Sequence, residues 1–161
     1  MNERIVQTAS PERVVAIARS WLGTPYVHQA SCKGAGCDCL GLVRGIWREV
    51  VGREPEQPPP YTPDWAEARG EETLLTAARR HLKEVRVAEY GFLPRWVRIV
   101  PGDVLLFRYR ANLPARHAGV ATGPDTMIHA QEGVGVVEVP LAGWWRRHLA
   151  AIFAFPAREE G

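Results

Sequence analysis

The chain changes character near its middle, and that change limits the folds open to it. The first half reads as helices. Ser10 is an N-cap with Pro11 at the first helical position, and Val14, Ile17, Ala18, Trp21 and Leu22 then share one face until Gly23. Asp38 reads as the N-cap of a second helix, with a buried stripe of Cys39, Leu42, Val43, Ile46, Trp47 and Val50 and a stop at Gly52. Asp64 with Glu67 makes a capping box for a third helix that reaches about His81 and is weakest at Gly70. Short strands follow at Val85–Glu89, Arg95–Val100, Val104–Tyr109, Gly119–Thr122, Met127–Ala130, Val134–Val139 and Ile152–Phe155, between Gly, Pro, Asn and Asp signals. This order predicts an α+β fold, with N-terminal helices packed on one face of an antiparallel sheet. A chain of 161 residues predicts a single domain, 1–161. That length buries roughly two-thirds of the unfolded surface, so no disulfide is needed to hold the core.

The candidate chemistry begins at the second helix. Cys39 follows Asp38 in the first turn, where the helix dipole and free backbone N–H groups favour a thiolate. His117 and His129 come later, on predicted strands. A cysteine at a helix N-terminus followed by two strand-borne histidines suits a thiol nucleophile with an imidazole base. In that reading Cys39 attacks an amide carbonyl and His117 takes the thiol proton, then returns it to the leaving amine. His129 orients the His117 ring, and the Cys39 N–H contributes to an oxyanion hole. Taken singly, Cys39 reads more readily as a core residue and His117 as a surface loop residue, and His129 reads also as a satisfied core histidine.

Other features bound the partners. A formal charge of +2, from 20 basic and 18 acidic residues, gives no footprint for nucleic acid. No apolar run approaches the roughly 20 residues of a membrane span, and Met1–Ser10 lacks the apolar core of a secretory signal. The 3 cysteines all lie between Cys32 and Cys39, so they are not a disulfide framework. Cys32 and Cys37 read as loop residues near the nucleophile. Zinc is the alternative, although the second ligand pair of a zinc knuckle is missing. His28, His81 and His148 have no partner visible in the sequence. Trp144-Trp145 packs a sheet edge, or stacks on carbohydrate.

Five motifs in order give the chain a family resemblance. They are Gly23-Thr24-Pro25-Tyr26, Asp38-Cys39-Leu40-Gly41-Leu42-Val43, Pro101-Gly102-Asp103-Val104, His117-Ala118-Gly119-Val120 and Ile128-His129-Ala130. Together they resemble the NlpC-type family of cell-wall cysteine peptidases, which implies a compact papain-like fold. The resemblance further implies a peptidoglycan endopeptidase that needs no cofactor and no metal, with Cys39, His117 and His129 as its catalytic set. It implies cleavage of the γ-D-glutamyl–diamino acid bond of stem peptides. It gives Tyr26 a place at the far side of the oxyanion hole or in the peptide subsite, and sets Asp38 against the substrate's free amine. The wording Cys37-Asp38-Cys39-Leu40-Gly41-Leu42-Val43, the proline-rich run before Pro63-Asp64-Trp65-Ala66-Glu67 and the late Trp145-Arg146-Arg147 are most similar to the phage and gene transfer agent branch. That branch implies synthesis in the cytoplasm, carriage on a phage-like tail with tail or baseplate partners, and action in the periplasm of a target cell.

Two departures stand out. Leu40 replaces the serine of most relatives, and an insert at about 53–98 is longer than in minimal relatives. The insert is expected to form an ordered lobe beside the sheet that narrows the cleft or docks to a tail component. Two rival functions remain open. One is a vestigial tail structural or binding module. The other is an acyltransferase or lipid hydrolase on the same fold, whose histidine usually precedes its cysteine.

Overall fold

Local capping starts both N-terminal helices. The computed structural model describes residues 7–62 and 70–158. Helix α1 (Pro11–Ser20) begins where the Ser10 hydroxyl accepts the Arg13 N–H at 3.4 Å, and it buries Val14, Val15 and Ala18. Helix α2 (Cys39–Val50) begins at Asp38, whose carboxylate accepts the Gly41 N–H at 2.7 Å. Leu42, Ile46 and Val50 form its buried stripe. Two glycines set how closely α2 packs. A Cβ on Gly41 would fall 1.8 Å from the Ala30 carbonyl oxygen, and one on Gly45 would fall 2.1 Å from the Trp21 ring. Between the helices runs a small hairpin of β1 (Ser31–Cys32) and β2 (Gly36–Cys37), where a plain loop was expected.

Six strands make the main sheet. They are β3 (Lys83–Val87), β4 (Val104–Phe107), β5 (His117–Gly123), β6 (Thr126–Gln131), β7 (Gly135–Pro140) and β8 (Leu149–Ala154), in the order β3–β8–β4–β5–β6–β7. Every neighbouring pair is antiparallel. Side chains alternate between the two faces. Val104, Leu106, Ala118, Val120, Ile128, Ala130, Ala151 and Phe153 meet α1 and α2 on the first face. Leu105, Phe107, Ala121, Met127 and Ile152 form a second core on the other face, closed by Leu93, Val97, Ile99 and Leu141. The fold is therefore α+β with helices on an antiparallel sheet, as expected.

Two expectations need correcting. Arg95–Val100 forms no strand. Pro94 and Pro101 bracket it, Val97 and Ile99 plug the second core, and Arg146 Nη2 donates to the Arg95 and Val97 carbonyls at 3.1 and 2.9 Å. Those carbonyls are thereby taken from any ladder. The third helix is shorter than expected among the described residues. Its capping box at Asp64 and Glu67 lies outside the described residues, Gly70 is left-handed at φ 66°, and helix α3 spans only Thr73–His81. The stretch expected as an insert also supplies part of the core. Within it, Leu74, Leu75 and Ala78 join the first-face cluster, and β3 is an edge strand paired with β8.

A buried cation ties this stretch to the sheet. Arg108, 1% exposed, directs all its N–H groups inward. Nε and Nη2 donate to Glu72 Oε1 at 3.1 and 2.6 Å, Nη1 to the Ala88 and Gly91 carbonyls at 2.6 and 3.0 Å, and Nη2 also to the Glu89 carbonyl at 3.3 Å. The second oxygen of Glu72 accepts the Ala115 N–H at 3.1 Å. Removing one partner of such a pair leaves an uncompensated buried charge. Glu72→Ala should therefore lower stability by about 3 kcal/mol, read by denaturant unfolding, and Glu72→Gln by clearly less. Equal, small losses in both would show that Arg108 is solvated without Glu72.

Candidate active site

The site lies where the N-terminus of α2 meets the start of β5. Asp38 is 2% exposed and is held from three sides. Its Oδ1 accepts the Gly41 N–H at 2.7 Å, while Oδ2 accepts the Gln29 N–H at 2.8 Å and the Tyr61 hydroxyl at 2.5 Å. His28 Nδ1 lies 3.8 Å from the same oxygen. Cys39, the next residue, is half-buried, and its thiol donates to the Arg116 carbonyl at 3.9 Å. The Ala118 N–H also faces the sulfur, so the two backbone groups that flank His117 both lie against it.

His117 and His129 project from the second face of the sheet, on β5 and β6. His117 Nε2 and His129 Nδ1 are 2.9 Å apart, with the rings at 85°. Among the described residues, no hydrogen bond joins the Cys39 sulfur to either imidazole. The contact from sulfur to the histidine-bearing strand is made through its backbone. Tyr26 forms an isolated bridge to Cys37. Together with Asp38, Leu40, Tyr61 and Arg116 it lines a pocket of about 30 Å³ beside Cys39. Such a volume holds about a water molecule.

Enclosure governs the protonation states. Burial pushes the Cys39 thiol up to about 12, and the Asp38 charge adds to this, against the backbone N–H groups of Ala118, Leu40 and Cys39. Burial pushes His117 down to about 3, helped by His129 and Arg116, and His129 down to about 4. Tyr26 rises to about 12, chiefly by burial and then through Cys39. These directions favour a neutral thiol and neutral imidazoles, against the thiolate that the helix position favours.

Several site features escaped the sequence. Tyr61 reaches Asp38 from the proline-rich stretch, and its carbonyl accepts from His28 Nε2 at 2.6 Å and from the Gln29 side chain. His28 thus has a partner after all. Trp145 lies over the histidine pair, 4.9 Å from His129 and 5.3 Å from His117 between ring centroids. A proline run announces an extended strap but not where its tyrosine lands, and a Trp-Trp pair does not say what it covers. Cys32 is exposed on β1 and Cys37 is buried on β2. Among the described residues, no three His, Cys, Asp or Glu side chains converge as a metal site would require. Nor does any described helix have the length and apolarity to cross a membrane.

A cysteine at a helix N-terminus, set against a histidine-bearing antiparallel sheet, places the molecule in the papain-like class of α+β folds. The chain belongs to the NlpC/P60 family, whose profile matches residues 23–153. It is 27% identical over 146 residues to the γ-DL-glutamyl hydrolase of Bacillus subtilis (strain 168), a match that covers 88% of this chain and 29% of that protein. The chain thus spans less than a third of that relative. Three solved structures share the fold. NlpC2 from Trichomonas vaginalis has a TM-score of 0.61 at 19% identity, covering 96% of this chain and 49% of that one. An NlpC/P60 family protein from Bacillus cereus ATCC 10987 scores 0.59 at 17% identity, covering 91% and 40%. The NlpC/p60 domain of the peptidoglycan hydrolase SagA scores 0.53 at 24% identity, covering 88% and 97%.

The enclosed histidine pair makes stability depend on pH. Each binds a proton near pH 6.5 when unfolded, but only near 3 (His117) or 4 (His129) when folded. Their contribution is therefore complete above pH 6.5 and is lost as pH falls from there towards about 4 for His129 and about 3 for His117. Asp103 opposes them, because burial raises its folded value from 3.8 to about 6. At pH 5 the two terms leave the unfolded chain about one extra proton, a slope of roughly 1.4 kcal/mol per pH unit. Calorimetric melting from pH 7 to pH 4.5 should show a steeper fall for the wild type than for a His117→Gln/His129→Gln double variant. Parallel curves would mean that the imidazoles are solvated.

Proposed function

We propose that this chain is a peptidoglycan hydrolase that cleaves stem-peptide amide bonds, with Cys39 as nucleophile, His117 as base and His129 as its orienting partner. One observation carries the reading. The Cys39 thiol is seated against the backbone on either side of His117, and the His117 ring is tied at Nε2 to His129. That tie leaves Nδ1 of His117 as the nitrogen available to the thiol. Family membership and the relative's glutamyl hydrolase activity point the same way.

The chemistry starts from a neutral pair. As a substrate carbonyl approaches the sulfur, His117 Nδ1 takes the thiol proton, and the thiolate forms a tetrahedral adduct. The N–H of Cys39, at the helix N-terminus, stabilises the adduct's oxyanion. The imidazolium returns its proton to the leaving amine, and water then hydrolyses the thioester with His117 again as base. Tyr26 lines the subsite beside the sulfur. For Asp38 to meet a substrate amine, the Tyr61 hydroxyl must first leave Oδ2.

The γ-D-glutamyl–diamino acid bond is the proposed target, in keeping with the relative's name. Delivery on a phage-like tail is the proposed route, and its support is the motif wording of the sequence. The rival reading, a vestigial module, requires no proton path between Cys39 and His117.

Purified sacculi decide between them. Wild-type protein should release muropeptides whose new termini identify the cleaved bond. Cys39→Ala and His117→Ala should each reduce release by about 10³-fold or more, with circular dichroism unchanged. His129→Ala should retain more activity, because orienting a base matters less than supplying one. Undiminished release by Cys39→Ala would remove the thiol from the reaction, and no release by the wild type would favour the vestigial module.

A further inference from the structure

The histidine pair holds an unbalanced atom. His129 is 2% exposed, and its Nε2 is buried without a hydrogen-bond partner among the described residues. Its ring packs edge-to-face with the Trp145 indole, at 4.9 Å between centroids and 69° between planes. Trp145 also lies half-parallel to His117, at 5.3 Å and 32°, and packs on Phe107 at 5.0 Å. It stands on the short helix α4 (Trp144–Arg147), which closes the second face of the sheet. Arg146 anchors that helix through the Arg95 and Val97 carbonyls.

We propose that Trp145 is a positioning residue that fixes the tautomer of the histidine pair, so that Nδ1 of His117 stays bare and available as the base. The proposal rests on the roles given to Cys39 and His117 above. A bond of 2.9 Å between two imidazole nitrogens can be made in two ways. In the first, His117 donates from Nε2 to His129 Nδ1, and His129 carries its proton on Nε2. In the second, His129 donates from Nδ1, its Nε2 is a bare lone pair, and His117 carries its proton on Nδ1. Only the first leaves His117 a basic nitrogen for the thiol.

The buried Nε2 separates the two. An N–H beside an indole π-system gains a weak hydrogen bond. A lone pair there gains nothing, yet still loses its water. Trp145 therefore favours the tautomer that catalysis needs. It also keeps water, which could satisfy either form, away from Nε2. Because both rings are neutral near pH 7, tautomer rather than charge is what the indole selects.

Nitrogen NMR of the full chain with ¹⁵N-labelled histidine reads the tautomers directly and needs no substrate. In the wild type, His129 and His117 should both be protonated at Nε2. Trp145→Leu should give a mixture of tautomers and lower kcat by roughly tenfold with little change in KM, while Trp145→Phe, which keeps a π-face, should stay close to wild type in both. A wild-type spectrum with His129 protonated at Nδ1 would overturn the proposal, and so would unchanged tautomers in Trp145→Leu. If Trp145→Leu does not fold, the wild-type spectrum and Trp145→Phe still decide. A wild type that shows the tautomers but cleaves no sacculi would sink the hydrolase reading and leave the tautomer assignment standing.

Discussion

The Asp38 carboxylate is the knot on which the site depends. It takes donors from three separate segments: Gly41 in the first turn of α2, Gln29 in the loop before β1, and Tyr61 in the proline-rich strap. A buried carboxylate is costly unless such donors replace its water. Hydrogen bonds to a charged group contribute about 1.5–3 kcal/mol each, so three of them hold the segments together. Local backbone geometry serves the same end. Gln29 adopts φ 65°, and Gly41 has no room for a side chain against Ala30. The residue after Asp38 is consequently fixed in place, and the Cys39 sulfur meets β5 at the residues that flank His117.

That enclosure also sets the chemistry. The helix N-terminus returns about 0.3–1 kcal/mol to a thiolate, up to ~2 in favourable geometry. Raising the thiol from 9.0 to about 12 corresponds to roughly 4 kcal/mol the other way. Burial wins, and the same burial keeps His117 neutral. Enclosure thus favours an uncharged pair at rest, whose proton moves when a carbonyl arrives. Tyr61 contributes to the enclosure, since it lines the pocket beside the sulfur.

Much of this was legible in residue order. Ser10 and Asp38 announce their helices because capping is local chemistry, and the short apolar segments from Val104 onward announce strands because Gly, Pro, Asn and Asp signals bracket them. The motif set picked out Cys39, His117 and His129 as a group. What the sequence hid was long-range. Arg95–Val100 alternates like a strand, yet its carbonyls go to Arg146 across the molecule. Glu72 reads as a surface carboxylate until Arg108 and Ala115 meet it. Tyr61 and Trp145 become site residues only through tertiary packing, which no periodicity encodes. The helix dipole favours a thiolate from the first turn alone, whereas the enclosure that opposes it is a property of the folded neighbourhood.

The neutral thiol is the claim from which the mechanism follows, and its S–H bond can be seen directly. An infrared difference spectrum at pH 7 between the wild type and Cys39→Ser isolates the S–H stretching band of this one residue. A clear band that persists to alkaline pH is the result predicted here. No band at pH 7, with one appearing only on acidification, would mean a thiolate–imidazolium pair at rest and would contradict the account.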